Sequence, residues 1–159
     1  EVLNKFPIKK GDVLFITAGT VHAICKGTLI AEIQQNSDVT YRVYDYNRRQ
    51  PDGSLRQLHV EDALNVIEKI DPTKIKADFG GKIIAKCNYF TVSKYQFEKI
   101  DLCATKDSFA HLLCVDGNAT IAIGEEQISL VAGEGLFISA GVGDYTIDST
   151  KSTVLVSTL

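Results

Sequence analysis

One twelve-residue pattern occurs twice in this chain, and no other feature limits the fold as strongly. GDVLFITAGTVH, residues 11–22, aligns without a gap to GEGLFISAGVGD, residues 133–144. Gly11, Leu14, Phe15, Ile16, Ala18 and Gly19 recur as Gly133, Leu136, Phe137, Ile138, Ala140 and Gly141, each 122 residues later, and Thr17 recurs as Ser139. A repeat with both glycines in register implies the same supersecondary unit built twice. The β-branched and aromatic run Val13 to Ile16 reads as a strand, Ala18-Gly19 as a tight turn, and the residues around His22 as a second strand. His22 is one of three histidines in 159 residues, and its counterpart in the repeat is Asp144. The chain is therefore expected to hold two related β-barrels, one with a histidine after its turn and one without.

Short apolar segments fill the second half: Tyr89 to Val92, Tyr95 to Phe97, Phe109 to Val115, Ala119 to Ile123, Ile128 to Val131, Leu136 to Ile138 and Thr153 to Ser157. Asp116-Gly117-Asn118 and Gly124-Glu125-Glu126 read as hairpin turns between them. Many short strands with close turns indicate an antiparallel barrel or jelly roll. Ahead of this barrel, Thr40 to Tyr46 alternates, with Tyr41, Val43 and Asp45 on one face and Arg42, Tyr44 and Tyr46 on the other. Arg48-Arg49 and Pro51-Asp52-Gly53 read as a polar loop. Val60, Ala63, Leu64 and Ile67 then fall at helical spacing, with Glu61 and Asp62 in the first turn, Lys69 in the last and Pro72 just beyond. Residues 1–7 (EVLNKFP) read as the end of a helix.

Composition narrows the function classes. A net charge of −3 argues against a general nucleic-acid binder. No apolar run approaches the roughly 20 residues of a membrane span, and no signal peptide is recognisable, so a cytoplasmic protein is expected. Cys25, Cys87, Cys103 and Cys114 form no CxxC pair, and the last three lie in apolar runs, which favours buried reduced thiols. Methionine is absent, even at position 1, so the chain reads as a processed or truncated piece.

Two resemblances emerge from these residues. Gly11, Thr17, Gly19 and His22 have the spacing of the second metal-binding motif of the cupins, which usually carries proline where Thr17 stands and asparagine where Lys26 stands. GTVHAI (19–24), EIQQNSDVTYRVYDY (32–46) and DGSLRQLH (52–59) together resemble the C-terminal half of the bacterial branch of type I mannose-6-phosphate isomerase, a zinc enzyme with two cupin barrels and a helical insert. The match is specific over about residues 8 to 70, and the repeat extends it to the C-terminus. The fold expected from it is mainly β: a cupin-type jelly-roll barrel preceded by the last strands of a second, truncated cupin barrel, with one short helix between. Its domains would be 1–58, the C-terminal part of the catalytic barrel; 59–82, a linking helix and loop; and 83–159, a second cupin barrel lacking metal ligands.

The resemblance implies site residues one by one. The histidine of GTVHAI is a zinc ligand in that family, which falls on His22, and the arginine of YRVYDY is assigned as catalytic, which falls on Arg42. The remaining ligands, a glutamine, a histidine and a glutamate, lie upstream in the family and have no counterpart here. The implied activity interconverts mannose 6-phosphate and fructose 6-phosphate through an enediol, whose charge a zinc ion and a guanidinium can stabilise. Glu32 is a candidate for the proton transfer, or for orienting Arg42 or His22. Zinc is expected in the intact parent and absent from, or weakly held by, this piece, which would be inactive alone. The expected partners are a hexose 6-phosphate and, through exposed strands, a second copy of the chain, with no nucleic acid and no membrane. The alternative is a non-catalytic cupin module that binds a sugar or a partner protein. Arg48 and Arg49 read as a solvated loop rather than a phosphate site, His59 as part of the helix cap region, and His111 as structural; no metal is expected at Asp144.

Overall fold

The computed structural model describes residues 3–71, 75–77 and 80–159. Two compact units emerge, Glu1–Ile30 with Gln34–Lys76, and Ala31–Ile33 with Ala77–Leu159.

The second unit holds every regular strand among the described residues. These are β1 (Ile83–Lys86), β2 (Thr91–Gln96), β3 (Lys99–Ala104), β4 (Ala110–Ile123), β5 (Glu126–Val131), β6 (Gly135–Ile138), β7 (Gly143–Asp148) and β8 (Ser152–Thr158). All pairings are antiparallel and form two sheets that share β4. One sheet runs β1-β2-β8-β4-β6, using the first half of β4, and the other runs β3-β7-β4-β5, using its second half. This is a jelly-roll arrangement, as the segment pattern predicts.

Alternation sets the core. Leu112, Cys114, Ile121, Ile147 and Val154 are all fully buried, and Tyr95, Ala110, Leu130, Ile138 and Val156 join them in one cluster. Burying each large aliphatic side chain contributes roughly 1.5–3 kcal/mol. Burial also pushes the Tyr145 hydroxyl up from 10.0 to about 12, with Tyr95 and Cys103 adding to the effect. The neutral phenol is favoured in the fold, so this contribution is complete below pH ~10 and is lost as pH rises toward about 12. Urea midpoints measured from pH ~9 to ~12 are expected to fall, and to fall less steeply in Tyr145→Phe.

Several details differ from the sequence-based expectation. Asp116-Gly117-Asn118 is no hairpin turn but the bend of the single long strand β4, where its pairing with β8 slips between Cys114 and Asp116. Gly117 adopts φ +72, and a Cβ there would stand 2.1 Å from the carbonyl oxygen of Lys151. Glycine lets β4 change sheets while another backbone crosses it closely. Gly124-Glu125 does form the two-residue hairpin between β4 and β5, with Gly124 at φ +58. Strands β3 and β7 were not anticipated. Of the cysteines, Cys114 is buried, whereas Cys103 and Cys25 are exposed and all four are free thiols. Cys103 lies on the outward side of β3, opposite the inward Ile100, Leu102 and Ala104.

The first unit is built differently. Its one helix, α1 (Val60–Val66), matches the expected position, with His59 as N-cap and Glu61 and Asp62 in the first turn. Only Ala63 of its apolar stripe is buried; Leu64 is 68% exposed. Lys69 lies beyond the helix, and Pro72 lies outside the described residues. Leu3 to Pro7 is not helical, and Glu1 and Val2 lie outside the described residues. The strands expected at Val13 to Ile16, around His22 and at Thr40 to Tyr46 do not form ladders. Leu14 makes one isolated bridge to Lys76, and the Phe15 N–H donates to the Ile75 carbonyl at 2.9 Å. Alternation selects the faces of a strand, but a strand persists only where neighbours satisfy its backbone. Among the described residues these segments find too few.

Candidate functional site

The repeated turn keeps its geometry in both units, ladder or no ladder. Gly11 and Gly133 both have φ +94, and Gly19 and Gly141 have φ +81 and +80. The Asp12 N–H donates to the Lys9 carbonyl at 3.1 Å and the Glu134 N–H to the Val131 carbonyl at 2.9 Å. In return, the Asp12 carboxylate accepts from the Lys9 N–H and the Glu134 carboxylate from the Val131 N–H, both at 3.0 Å. One turn later, the Thr20 N–H donates to Thr17 and the Val142 N–H to Ser139. Each turn needs a left-handed residue at its third position, which glycine supplies without strain.

The first copy is further pinned by the residues at the C-terminal end of α1 and just beyond it. Glu68 donates its N–H to the Gly19 carbonyl at 3.1 Å, and a Cβ on Gly19 would stand 2.7 Å from the Val66 oxygen. Lys76 holds Asp12 at 2.8 Å, and this bond is the leading cause that lowers the Asp12 carboxyl below its usual range.

His22 follows this turn, exposed, with Nδ1 2.9 Å from the Thr20 carbonyl oxygen. A carbonyl only accepts, so Nδ1 carries the proton, and in the neutral ring Nε2 keeps its lone pair. That is the arrangement by which a backbone carbonyl fixes the tautomer of a metal-ligating imidazole. His22 therefore fits as one ligand through Nε2. Among the described residues, no group of three or more His, Cys, Asp or Glu side chains could hold a metal ion. The described residues do not complete a zinc site.

Arg42 lies at the base of a closed excursion, residues 42–59. The His59 N–H donates to the Arg42 carbonyl at 2.8 Å, and the Arg42 N–H donates to His59 Nδ1 at 3.2 Å. His59, expected in the helix cap region, is thus both the N-cap residue of α1 and the partner of Arg42. The tip is a three-residue hairpin loop: Gln50 donates its N–H to Ser54, Pro51-Asp52 turn, and Gly53 takes φ +83. Ser54 N–H and Oγ both donate to Asp52 Oδ1, at 2.9 and 2.7 Å, and these bonds lower the Asp52 carboxyl. Arg49 Nη1 donates to the Gly53 carbonyl at 2.6 Å. In the middle stands Asp45, only 6% exposed, which accepts from Arg48 Nε at 3.0 Å and from Arg48 Nη2, with Arg56 Nε 3.4 Å away. Arg48 and Arg49, expected in a solvated loop, brace that loop through these bonds. Sequence reasoning placed Asp45 on a strand face but missed its burial; an acidic residue amid a Tyr/Val run, with arginines three and eleven residues on, was the available signal.

Glu32 is exposed and lies in the short segment Ala31–Ile33 that groups with the second unit, whereas His22 and Arg42 lie in the first. Within the first unit, no hydrogen bond or ion pair among the described residues joins His22 and Arg42. In the second copy of the turn, Asp144 occupies the histidine position, where it is the ladder partner of Cys103 and its carboxylate raises that thiol's pKa. His111 pairs across β4 with Phe137 of β6 and Ser157 of β8.

Two antiparallel sheets sharing one bent strand, carrying the glycine-punctuated turn, define the second unit as a cupin barrel. Comparison makes the resemblance specific: residues 82–158 match the family described as mannose-6-phosphate isomerase, cupin domain. It is 35% identical over 156 residues to the Bacillus subtilis protein named "Probable mannose-6-phosphate isomerase GmuF", covering 94% of this chain and 50% of that protein. It is 31% identical to mannose-6-phosphate isomerase ManA of Bacillus subtilis, covering 93% of this chain and 49% of that protein. The crystal structure of the mannose 6-phosphate isomerase from Bacillus subtilis superposes with a TM-score of 0.55 at 27% identity, over 77% of this chain and 41% of that one. The chain spans about half the length of the curated relatives it matches. No helix among the described residues is long and apolar enough to cross a membrane.

Proposed function

We propose that this chain contributes to an aldose–ketose isomerase that interconverts mannose 6-phosphate and fructose 6-phosphate in the cytoplasm. The observation that carries the reading is His22, whose Nδ1 proton is committed to Thr20 so that Nε2 is aimed for coordination. The names of the relatives supply the substrate class. In the proposed division, residues 1–58 belong to the catalytic barrel, 59–82 link, and 83–159 form a second cupin barrel without metal ligands.

Each residue then has a task set by its chemistry. His22 would be one zinc ligand; bound zinc supplies Lewis-acid polarisation of the sugar oxygens. Arg42 keeps its charge at any working pH and would stabilise the enediolate as negative charge spreads over O1 and O2. Glu32 would carry the proton between C1 and C2 as a carboxylate base. A single imidazole cannot hold zinc in a closed site, so the 159-residue chain alone is proposed to be inactive, with zinc absent or weakly held.

The test is zinc content of the intact protein after dialysis. Wild type is expected to retain about one zinc per chain and His22→Ala to lose most of it, since removing one of four ligands weakens a site severely. Full retention by His22→Ala rejects the reading. The same geometry supports self-association of this chain: Leu29 is 99% exposed and Leu64 68%, with Tyr44 at 64%. Sedimentation as a strict monomer at working concentration rejects that part.

A further inference from the structure

The Arg42 guanidinium is held by no hydrogen bond or ion pair among the described residues, so its direction depends on the backbone that carries it. That backbone is fixed from two sides. His59 clamps it through two hydrogen bonds, and on the other side the chain enters a turn three residues later. The turn is strained: Tyr46 and Asn47 have φ +52 and +53, both left-handed, and the Arg48 N–H closes it onto the Asp45 carbonyl at 3.0 Å. Left-handed asparagine is tolerated, but left-handed tyrosine costs about 1–2 kcal/mol. Something must hold it.

Asp45 does so. Its carboxylate is the buried charge of the first unit among the described residues, and it binds Arg48 across the same turn while standing 3.4 Å from Arg56 on the returning limb. A buried carboxylate persists only when paired, so the pairing and the strained turn stabilise one another. With the Arg42–His59 pair at the base and the Gln50–Ser54 hairpin at the tip, the excursion is cross-tied along its length.

We infer that Asp45 is a positioning residue for Arg42: by locking the Tyr46–Asn47 turn to both limbs, it sets the direction in which Arg42 presents its guanidinium to the sugar oxygens. This rests on the role proposed above for Arg42, and the experiment separates the two. Isomerase turnover is measured in the intact protein for wild type, Asp45→Asn, Arg42→Ala and the double variant. Asp45→Asn is expected to lose about 10–100-fold in kcat with KM within about threefold, as for outer residues that orient a catalytic group. Asp45→Glu should recover part of the loss. In the double variant Asp45→Asn should add nothing to Arg42→Ala, because it acts through the missing side chain.

Multiplying losses in the double variant, or wild-type kcat in Asp45→Asn, overturns the inference while leaving Arg42 in its role. Undiminished kcat in Arg42→Ala overturns both. Should Asp45→Asn fail to fold, Arg48→Met removes the donors across the turn while leaving Arg56 beside the carboxylate, and the same outcomes decide.

Discussion

On the role proposed for Arg42, Arg42→Ala is expected to lower kcat of the proposed isomerisation by about 10²–10³, the usual loss when one preorganised donor to a developing oxyanion is removed. The magnitude follows from timing. On the proposed enediol route, substrate and product are neutral at C1 and C2 whereas the enediolate between them is charged, so a fixed guanidinium would interact more strongly with the charged state. KM should change little by comparison. Arg42→Lys should fall between wild type and alanine, because an ammonium retains the charge but not the planar fork. In the same assay, undiminished turnover by Glu32→Gln would remove Glu32 from the proton transfer. The measurement is steady-state isomerisation of mannose 6-phosphate, and an Arg42→Ala enzyme within threefold of wild type would reject the assigned role.

The largest expected loss of stability comes from one methyl group at Gly117. Gly117→Ala places a left-handed alanine at φ +72, with its Cβ 2.1 Å from the Lys151 oxygen. The oxygen cannot simply withdraw, since the next residue, Ser152, is the ladder partner of Gly117 and is itself buried. Backbone strain and overpacking together cost about 2–5 kcal/mol. Gly133→Ala is the control: it has φ +94 but open space around the added carbon, so only the conformational part, about 1–2 kcal/mol, applies. Urea unfolding should separate the two variants clearly, and equal midpoints would show that β4 tolerates the crossing differently from the geometry.

The sequence predicted the second barrel better than the first unit, for a physical reason. β5, β6 and β8 each carry enough apolar residues close together to stand out as segments, and β8 is buried at six consecutive positions. In β3 and β7 the outward positions are Lys99, Asp101 and Cys103, and Asp144, Thr146 and Asp148, so the apolar signal thins to alternate residues and is hard to see. Asp116-Gly117-Asn118 looks like a turn on local chemistry alone; pairing with Thr153 and Ser152 of β8 overrides it. In the first unit the alternation at Thr40 to Tyr46 is real, but periodicity does not say whether a partner strand exists. The same holds for the site. GTVHAI identified His22 as a candidate, yet the Thr20 carbonyl that selects its tautomer is a backbone group with no signature in the residue types. Asp45 likewise needed the fold to bring Arg56 back to it.

The matched hydrogen bonds of the two turns separate shape from chemistry. Most bonds that define each turn span no more than three residues, and they persist in one copy inside a ladder and in the other without one. A segment so self-reliant can accept histidine or aspartate at its exit without altering its path. The two copies therefore differ in the side chain they present at that one position, and the scaffold that presents it is common to both.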